Sequence, residues 1–214
     1  AIIDIRSELE HQKIAKKYPT LPVYSQNQII KVHGYNRVKA ITLLNGEKIQ
    51  VDGIAVSGGW NPSIHLTCQH RQRPIWNNSI SGFMADEASL PPGMKIAGAA
   101  KGIYTTKLVL QDGLNQANIV LSELGHATSK MTIPSANDDT YNGKTFWSVK
   151  QTKQRAWVDF QNDVTTKDIH LAVQEGFYSV EHVKRYTTLG MATDQGKTSS
   201  VIGIGIIAET MNKS

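Results

Sequence analysis

The segment VTTKDIHLAVQEGF, residues 164–177, carries the signals that begin and end an amphipathic α-helix. Thr165 is a residue type that caps helix N-termini, and Asp168 follows it at the spacing of a capping box. Apolar residues then recur on one helical face, and Gly176 can end the helix. The inward residues are Ile169, Ala172 and Val173. We therefore predict an α-helix in this segment.

The same plan continues toward the C-terminus. SVEHVKRYTTLG, residues 179–190, predicts a second helix with Ser179 as its cap and Gly190 as its stop. SSVIGIGIIAETM, residues 199–211, predicts a third, apolar helix whose two glycines allow close packing against a neighbour. We therefore assign residues 156–214 to a small α-helical domain.

The connection GMATDQGKTSS, residues 190–200, contains the Gly-Lys-Thr that ends nucleotide-triphosphate loops. Such a loop has four residues between its first glycine and the Gly-Lys pair and follows a buried strand. Five residues stand here, and the preceding element is a predicted helix, so a triphosphate loop is disfavoured. A cradle for one phosphate remains a hypothesis, with surface lysines and a helix cap as the simpler alternative. Its candidate groups are Lys184, Arg185, Thr187, Thr188, Lys197 and the amides of Thr198 and Ser199.

The chain before the helical domain divides into two parts. Residues 126–155 are rich in Ser, Thr, Asn and Asp and lack periodicity, which predicts a linker. Residues 1–125 read as an α/β domain, with a strand at the start, a helix over Ser7–Lys17, and hairpin signals at His33-Gly34 and Asn45-Gly46.

Two apolar stretches of this α/β domain end in small residues. GIAVSGGWNP, residues 53–62, predicts a buried strand whose two glycines bring the backbone close to a bulky group, with a simple turn as the equal alternative. MKIAGAAKGI, residues 94–103, predicts a second strand that leads into a helical region over 104–125, with a possible break near Asp112-Gly113. A strand, a small-residue turn and a helix are typical of dinucleotide phosphate sites.

Composition excludes several function classes. The 214 residues contain 23 Lys and Arg against 18 Asp and Glu, a formal charge of +5 that favours anionic partners. No basic, aromatic-rich face indicates nucleic acid. Cys68 is the single cysteine, so this chain cannot build an internal disulfide or a site from several thiolates. The single cysteine fits a reducing cytoplasm, and the lack of an apolar run of membrane length and of a secretory-type N-terminus predicts a soluble protein.

No residue of this sequence is assigned a catalytic or metal-binding role. The histidines lack metal-ligand spacing, and no nucleophile-elbow pattern surrounds Ser57 or Cys68.

Residues 158–199 closely resemble a segment of the alpha subunit of heterotetrameric sarcosine oxidase, between its dinucleotide-binding and folate-binding parts. DGIAVSGGWNPSIHL (52–66), IAGAAKG (96–102) and IIDIRSE (2–8) are similar, in the same order, to the end of the dinucleotide-binding part. The resemblance implies that this chain is a central piece of a longer polypeptide. It further implies that residues 1–125 are the C-terminal portion of a two-dinucleotide-type flavoprotein fold that binds NAD.

The helical domain also resembles the small iron–sulfur module of bacterioferritin-associated ferredoxin. At the positions of that module's four cysteines this sequence has Asp159, Gln161, Asp194 and Ser199. These side chains are poor substitutes for the soft thiolate ligands of a cluster. The resemblance therefore implies a ferredoxin-like helical domain that has kept its fold without an iron–sulfur cluster.

The family resemblance implies an oxidoreductase that demethylates sarcosine to glycine. The family's FAD lies in the beta subunit, its FMN lies at the alpha–beta interface where oxygen becomes hydrogen peroxide, and tetrahydrofolate takes the one-carbon unit. Beta, gamma and delta subunits are the implied partners. The resemblance assigns the FMN phosphate to Lys184, Arg185, Thr187 and Lys197. It assigns the NAD surroundings to Gly58, Gly59, Trp60, Gly98, Ala99 and Ala100.

Two alternatives stay open at the level of sequence. One is a subunit of a related amine, proline or opine dehydrogenase, which the missing cysteines disfavour. The other is a non-catalytic electron-transfer scaffold that has kept the fold.

Overall fold

The structure, a computed structural model, describes residues 1–69, 71–128, 130–136 and 143–213. The chain packs into two compact units, one formed by residues 1–56 with 146–214 and the other by residues 57–145. Both units contain helices and strands, so the predicted mixture of α and β elements is confirmed. The predicted boundaries at residues 125 and 155 separate a partial NAD-binding domain, a linker and a helical domain. The compact units do not test this division by function, so the boundaries stay a prediction.

The N-terminal part of the first unit contains five strands and one helix. They are β1 (Ile2–Ile3), α1 (Glu8–Lys17), β2 (Val23–Tyr24), β3 (Ile29–Gly34), β4 (Val38–Leu43) and β5 (Lys48–Gln50). β1 and β2 are parallel, whereas β3, β4 and β5 form an antiparallel sheet in that order. The predicted Asn45-Gly46 hairpin is confirmed, because Ile41 faces Ile49 across it and Gly46 takes a φ of 87°. The other turn follows Gly34, which ends β3 instead of forming the turn.

The second unit contains shorter elements around one long helix. They are α2 (His65–Cys68), β6 (Ile75–Asn77), β7 (Gly82–Met84), 3₁₀ helices at Glu87–Ser89 and Gly98–Lys101, and α3 (Thr106–Glu123). β6 and β7 are antiparallel, and the Trp76 ring packs edge-on against Phe83 with 5.1 Å between ring centroids. α3 runs through Asp112 and Gly113 without a break.

The two apolar strands predicted within residues 53–62 and 94–103 do not form. The structure gives the first stretch no regular element and turns Gly98–Lys101 of the second into a 3₁₀ helix. A strand needs a neighbour that completes its hydrogen bonds, and no described segment pairs with either stretch. Val56, at 87% exposure, shows how open the first stretch is.

The predicted helices of the C-terminal region are all present. The elements are β8 (Trp157–Asp159), β9 (Val164–Thr165), α4 (Thr166–Gln174), α5 (Val180–Thr187) and α6 (Ser200–Thr210). The capping box of Thr165 and Asp168 is confirmed: the Asp168 carboxylate accepts from the Thr165 amide at 2.8 Å and from its hydroxyl at 2.7 Å. α5 ends earlier than predicted, because Thr188 already takes the left-handed conformation, with φ 63°, and is the C-cap; Gly190 also has a positive φ, of 67°.

One apolar core joins these elements. It consists of Val158, Val164, Ile169, Ala172, Val173, Val183, Leu189, Ile206 and Ile207. Trp147 packs against this core from residues 143–156, a stretch without helix or strand. The glycines of α6 serve the predicted close packing, since Gly203 faces Leu189 and Gly205 faces the Trp147 indole. None of the described helices is long and apolar enough to cross a membrane.

Gly205→Ala is expected to lower the free energy of unfolding by roughly 1–3 kcal/mol, because the added Cβ would overlap the Trp147 indole. Gly113→Ala is the matched control within α3, where a Cβ meets no atom within 4 Å. It should stabilise the protein by up to about 1 kcal/mol through helix propensity. Urea denaturation of both variants measures the difference. Equal stabilisation by both substitutions would contradict the packing of Trp147.

Candidate functional site

The connection between α5 and α6 is organised by a buried carboxylate. Asp159 ends β8 and is 2% exposed. Its Oδ2 accepts a hydrogen bond from the Gly190 amide at 2.8 Å and lies 3.5 Å from the Ser199 hydroxyl. Its Oδ1 accepts from the amides of Gln161 at 2.9 Å and Asn162 at 3.3 Å. One side chain thus joins the turn after β8 to both ends of the connection.

Two further hydrogen bonds tie the same turn to the same connection. The Asn162 amide group donates to the Thr188 carbonyl at 2.8 Å. The Gln161 side-chain oxygen accepts from the Thr193 hydroxyl, also at 2.8 Å. Three of the four positions that the ferredoxin resemblance compared with cysteines, Asp159, Gln161 and Ser199, thus share one network, and the fourth, Asp194, directly follows Thr193 in the chain. Among the described residues, no group of three or more His, Cys, Asp or Glu is arranged to hold a metal ion.

Gly196 and Thr198 of the Gly-Lys-Thr sequence donate hydrogen bonds to a carboxylate of this same chain, that of Asp194. The Asp194 carboxylate accepts from the Gly196 amide at 3.0 Å, from the Thr198 hydroxyl at 2.8 Å and from the Thr198 amide at 3.4 Å. The Thr198 hydroxyl is the main cause that lowers the pKa of Asp194, followed by the Gly196 amide, while desolvation opposes it. The Ser199 amide donates to the Gly196 carbonyl at 3.3 Å. The amides suggested for a phosphate are therefore already in use.

The predicted FMN-phosphate residues occupy two places in the structure. Lys184 and Arg185 lie in the last turn of α5, with their charged groups 3.8 and 4.0 Å from the Glu181 carboxylate. The Thr187 hydroxyl donates to the Val183 carbonyl at 2.7 Å, so its proton is committed inside the helix. Lys197 is exposed on the connection before α6. Within the described residues, no ion pair or hydrogen bond of its side chain reaches α5.

The second glycine motif predicted to border NAD forms a tight turn. Gly98 is buried with φ 62°, and its amide donates to the Asp112 carboxylate at 2.8 Å. Lys101 lies 3.0 Å from Glu87 and 3.7 Å from Asp112. The hydrogen bond that Lys101 donates to the Glu87 carboxylate is the first cause that raises the pKa of Lys101, against the effect of its desolvation. Ala99 and Ala100 fill the 3₁₀ helix between these anchored residues.

The first glycine motif is open and lies beside the second. Gly58 and Gly59 belong to an exposed irregular stretch, where Gly59 has φ 92°. Trp60 follows with 69% of its surface exposed. Its carbonyl accepts a hydrogen bond from the Tyr104 hydroxyl at 3.3 Å. Because Tyr104 directly follows the second motif, this bond connects the two predicted NAD motifs within the second unit.

Comparison with known proteins identifies the family. Residues 153–214 match the model of the sarcosine oxidase A3 domain. The sarcosine oxidase alpha subunit of Rhizobium meliloti (strain 1021) is 39% identical over 186 residues, 85% of this chain and 19% of that subunit. The alpha subunit of Corynebacterium sp. (strain P-1) is 33% identical over 175 residues, 77% of this chain and 18% of that subunit.

The chain belongs to the sarcosine oxidase alpha-subunit family. The family resemblance found in the sequence is thereby confirmed, and the chain spans about a fifth of the length of the curated relatives it matches. A crystal structure of L-proline dehydrogenase from P. horikoshii superposes with a TM-score of 0.69 at 17% identity. That similarity covers all of this chain and 45% of the dehydrogenase chain, and it shows a shared mixed α/β fold.

Sequence reasoning missed the partners that build the site. Asn162, Thr193 and Tyr104 make the connecting hydrogen bonds, yet each partner is distant along the chain. Asp194 offered a local signal, because an aspartate two residues before a glycine often accepts the hydrogen bond of that glycine's amide. Asp159 has similar local contacts with the amides of Gln161 and Asn162, but no local pattern signals its contacts with Gly190 and Ser199, which lie 31 and 40 residues away.

Asp159→Ala is expected to reduce the free energy of unfolding by about 3 kcal/mol, because it leaves buried amides and the Ser199 hydroxyl without an acceptor. Asp159→Asn should lose less, since one side-chain oxygen still accepts. Asp52→Asn, at an exposed position, is the control and should change little. Denaturant titration gives the ranking. Equal stabilities of the Ala variant and the parent would remove Asp159 from the centre of the network.

Acid should weaken the connection before α6 through Asp194. A carboxyl whose pKa is lower in the folded chain stabilises the fold fully above its unfolded pKa of about 3.9, and this contribution disappears as the pH falls through the folded pKa. Asp194→Asn is therefore expected to show a smaller loss of stability between neutral pH and acid than the parent. Thermal unfolding across this range measures it, with Asp52→Asn as control. An acid dependence unchanged by Asp194→Asn would contradict the assignment.

Proposed function

We propose that this chain is the part of a sarcosine oxidase alpha subunit that surrounds NAD and contributes to the FMN site. The assembled enzyme would oxidatively demethylate sarcosine to glycine, with hydrogen peroxide as a product and tetrahydrofolate as the one-carbon acceptor. The observation that carries this proposal is the similarity to sarcosine oxidase alpha subunits along 85% of the chain. FAD and the beta, gamma and delta subunits complete the proposed cytoplasmic complex.

The FMN phosphate is proposed to bind through side-chain cations rather than loop amides. FMN supplies the electron-accepting ring when bound, and this chain's residues only hold its phosphate. Arg185, whose side chain is 69% exposed, and Lys197 have accessible charged groups, and Lys184 adds a nearby charge. A dianion that leaves water must be paired with cations. The carbonyl end of α5 carries negative partial charge, which makes these cations more necessary.

Thr187 fits this site less well than the cations. Its hydroxyl donates to the Val183 carbonyl and accepts from the Leu189 amide at 3.3 Å. It could donate to a phosphate only after breaking its bond within α5. The proposal therefore relies on Arg185 and Lys197.

The NAD surroundings are proposed to be the two linked glycine motifs of the second unit. Gly59 and Gly98 have positive φ angles, a conformation that side-chain-bearing residues rarely adopt. A Cβ on Gly98 would also stand 3.0 Å from Val109. Such positions keep the backbone compact where a cofactor approaches it. We propose that residues 1–125 are the end of a two-dinucleotide-type flavoprotein fold.

The helical domain is proposed to be ferredoxin-like without a cluster. Support comes from the contact between Asp159 and Ser199, with Gln161 bonded beside Asp194. Hydrogen bonds between hard oxygen and amide groups occupy the positions that the resemblance compared with thiolates. This arrangement suits a fold that needs no metal.

A dehydrogenase subunit is the second candidate function. The observation that favours it is the fold shared with the L-proline dehydrogenase of P. horikoshii. An assay of the assembled enzyme with oxygen and with an artificial electron acceptor separates the two candidates. An oxidase turns over sarcosine with oxygen alone, whereas a dehydrogenase requires the acceptor. Failure with both would favour a non-catalytic electron-transfer scaffold.

Arg185→Ala combined with Lys197→Ala in the assembled enzyme is expected to weaken FMN retention at least about tenfold, since each charged hydrogen bond contributes about 1.5–3 kcal/mol. FMN released by denaturation and the rate of peroxide formation are the measurements. Lys213→Ala, an exposed lysine beyond α6, is the control. If flavin content and peroxide formation equal those of the control, the phosphate assignment is wrong.

A further inference from the structure

A basic groove in the first unit is not used by the proposed function. The cavity has a volume of about 520 Å³ and lies beside β8, β9 and the first turn of α4. Lys153, Arg155, Trp157, Asp163 and Lys167 line it. We call these five residues and the cavity they line the basic groove. The groups proposed to hold FMN belong to the end of α5 and the connection before α6, and none of them lines this cavity.

Three cations converge on the basic groove without ion pairs of their own. Lys153, Arg155 and Lys167 form no salt bridge with any residue in the described part of the chain. Two carboxylates, Asp163 and Asp168, also line the cavity. Asp168 accepts hydrogen bonds from the Thr165 amide and hydroxyl at 2.8 and 2.7 Å, and its pKa is lowered first by the Thr165 hydroxyl and also by the nearby Arg155 charge. With three cations against two carboxylates the lining has a net charge of +1, and a concave wall concentrates such a field on a bound anion.

The guanidinium group of the basic groove is held in place before any ligand arrives. Arg155 lies over the Trp157 ring, with its central carbon 5.2 Å from the ring centroid. This cation–π contact occupies the face of the guanidinium and leaves its N–H edge available. An arginine edge matches two oxygens of a phosphate, and an oriented group loses less entropy on binding. Trp157, 39% exposed, adds an apolar wall.

We propose that the basic groove binds a phosphorylated small molecule about the size of a mononucleotide. Three cations match the double negative charge of a phosphate monoester better than they match the single charge of a carboxylate ligand. A volume of about 520 Å³ lies within the range of small-molecule sites, about 300–1,000 Å³, and is far larger than a free phosphate needs. The phosphate contacts Arg155 and the two lysines, and the remainder of the ligand packs along Trp157.

Isothermal titration calorimetry with uridine 5′-monophosphate tests this site, with uridine as the probe that lacks only the phosphate. The purified protein should bind the monophosphate at least ten times more tightly than uridine, and added salt should weaken that binding. Lys153→Gln with Lys167→Gln should weaken it at least tenfold, and so should Arg155→Gln. Lys150→Gln is the control, because this exposed lysine points to Glu209 at 3.8 Å outside the groove.

Each outcome decides a separate part of the proposal. Equal affinity for uridine and its monophosphate, no binding of either, or binding unchanged by the groove variants would overturn the site. Inorganic phosphate that binds as tightly as the monophosphate would overturn the inferred ligand size. FMN content should stay at the parent level in the groove variants, so a failure here does not bear on the FMN proposal.

Discussion

The buried carboxylate of Asp159 is the interaction on which the helical region depends. A charge removed from water costs several kcal/mol unless hydrogen bonds replace its hydration. Here amides of Gln161, Asn162 and Gly190 supply that replacement, with the Ser199 hydroxyl nearby. Because the donors come from both sides of α4 and α5, one group fixes the path of the chain around these helices. The connection between α5 and α6, held by these hydrogen bonds, lies next to the apolar core, to which its residue Leu189 belongs.

Asp194 performs a similar task within the connection itself. Its carboxylate satisfies the Gly196 amide and the Thr198 hydroxyl, so the turn before α6 contains its own counter-anion. Gly190 and Gly196 approach so closely that a Cβ on Gly196 would stand 3.1 Å from the Gly190 Cα. A turn this compact, filled by an internal carboxylate, leaves no room for phosphate oxygens among its amides. The proposed FMN phosphate would therefore be bound from outside this turn, by extended cationic side chains.

Local sequence signals predicted the helices of the C-terminal region. Features that depend on contacts between residues distant along the chain could not be predicted in this way. The capping box of Thr165 and Asp168 and the Asn45-Gly46 turn depend on neighbours along the chain, and both appear as expected. The apolar stretches at 53–62 and 94–103 failed as strands, because strand formation depends on a partner that no local pattern specifies. The site followed the same rule: its residue types were visible in the sequence, whereas the link between Asp159 and Gly190 spans 31 residues.

The exchange of thiolates for carboxylates, as the ferredoxin resemblance implies it, has a physical logic. A thiolate that binds a metal makes the fold depend on the metal's binding free energy. A carboxylate of equal charge can instead accept amide hydrogen bonds directly, and amides donate more strongly to oxygen than to sulfur. Asp159 and Asp194 both do so, each with two oxygens that serve several donors. The loops around them are thus fixed by the chain's own charges, and the amides that these carboxylates occupy are not available to an external anion.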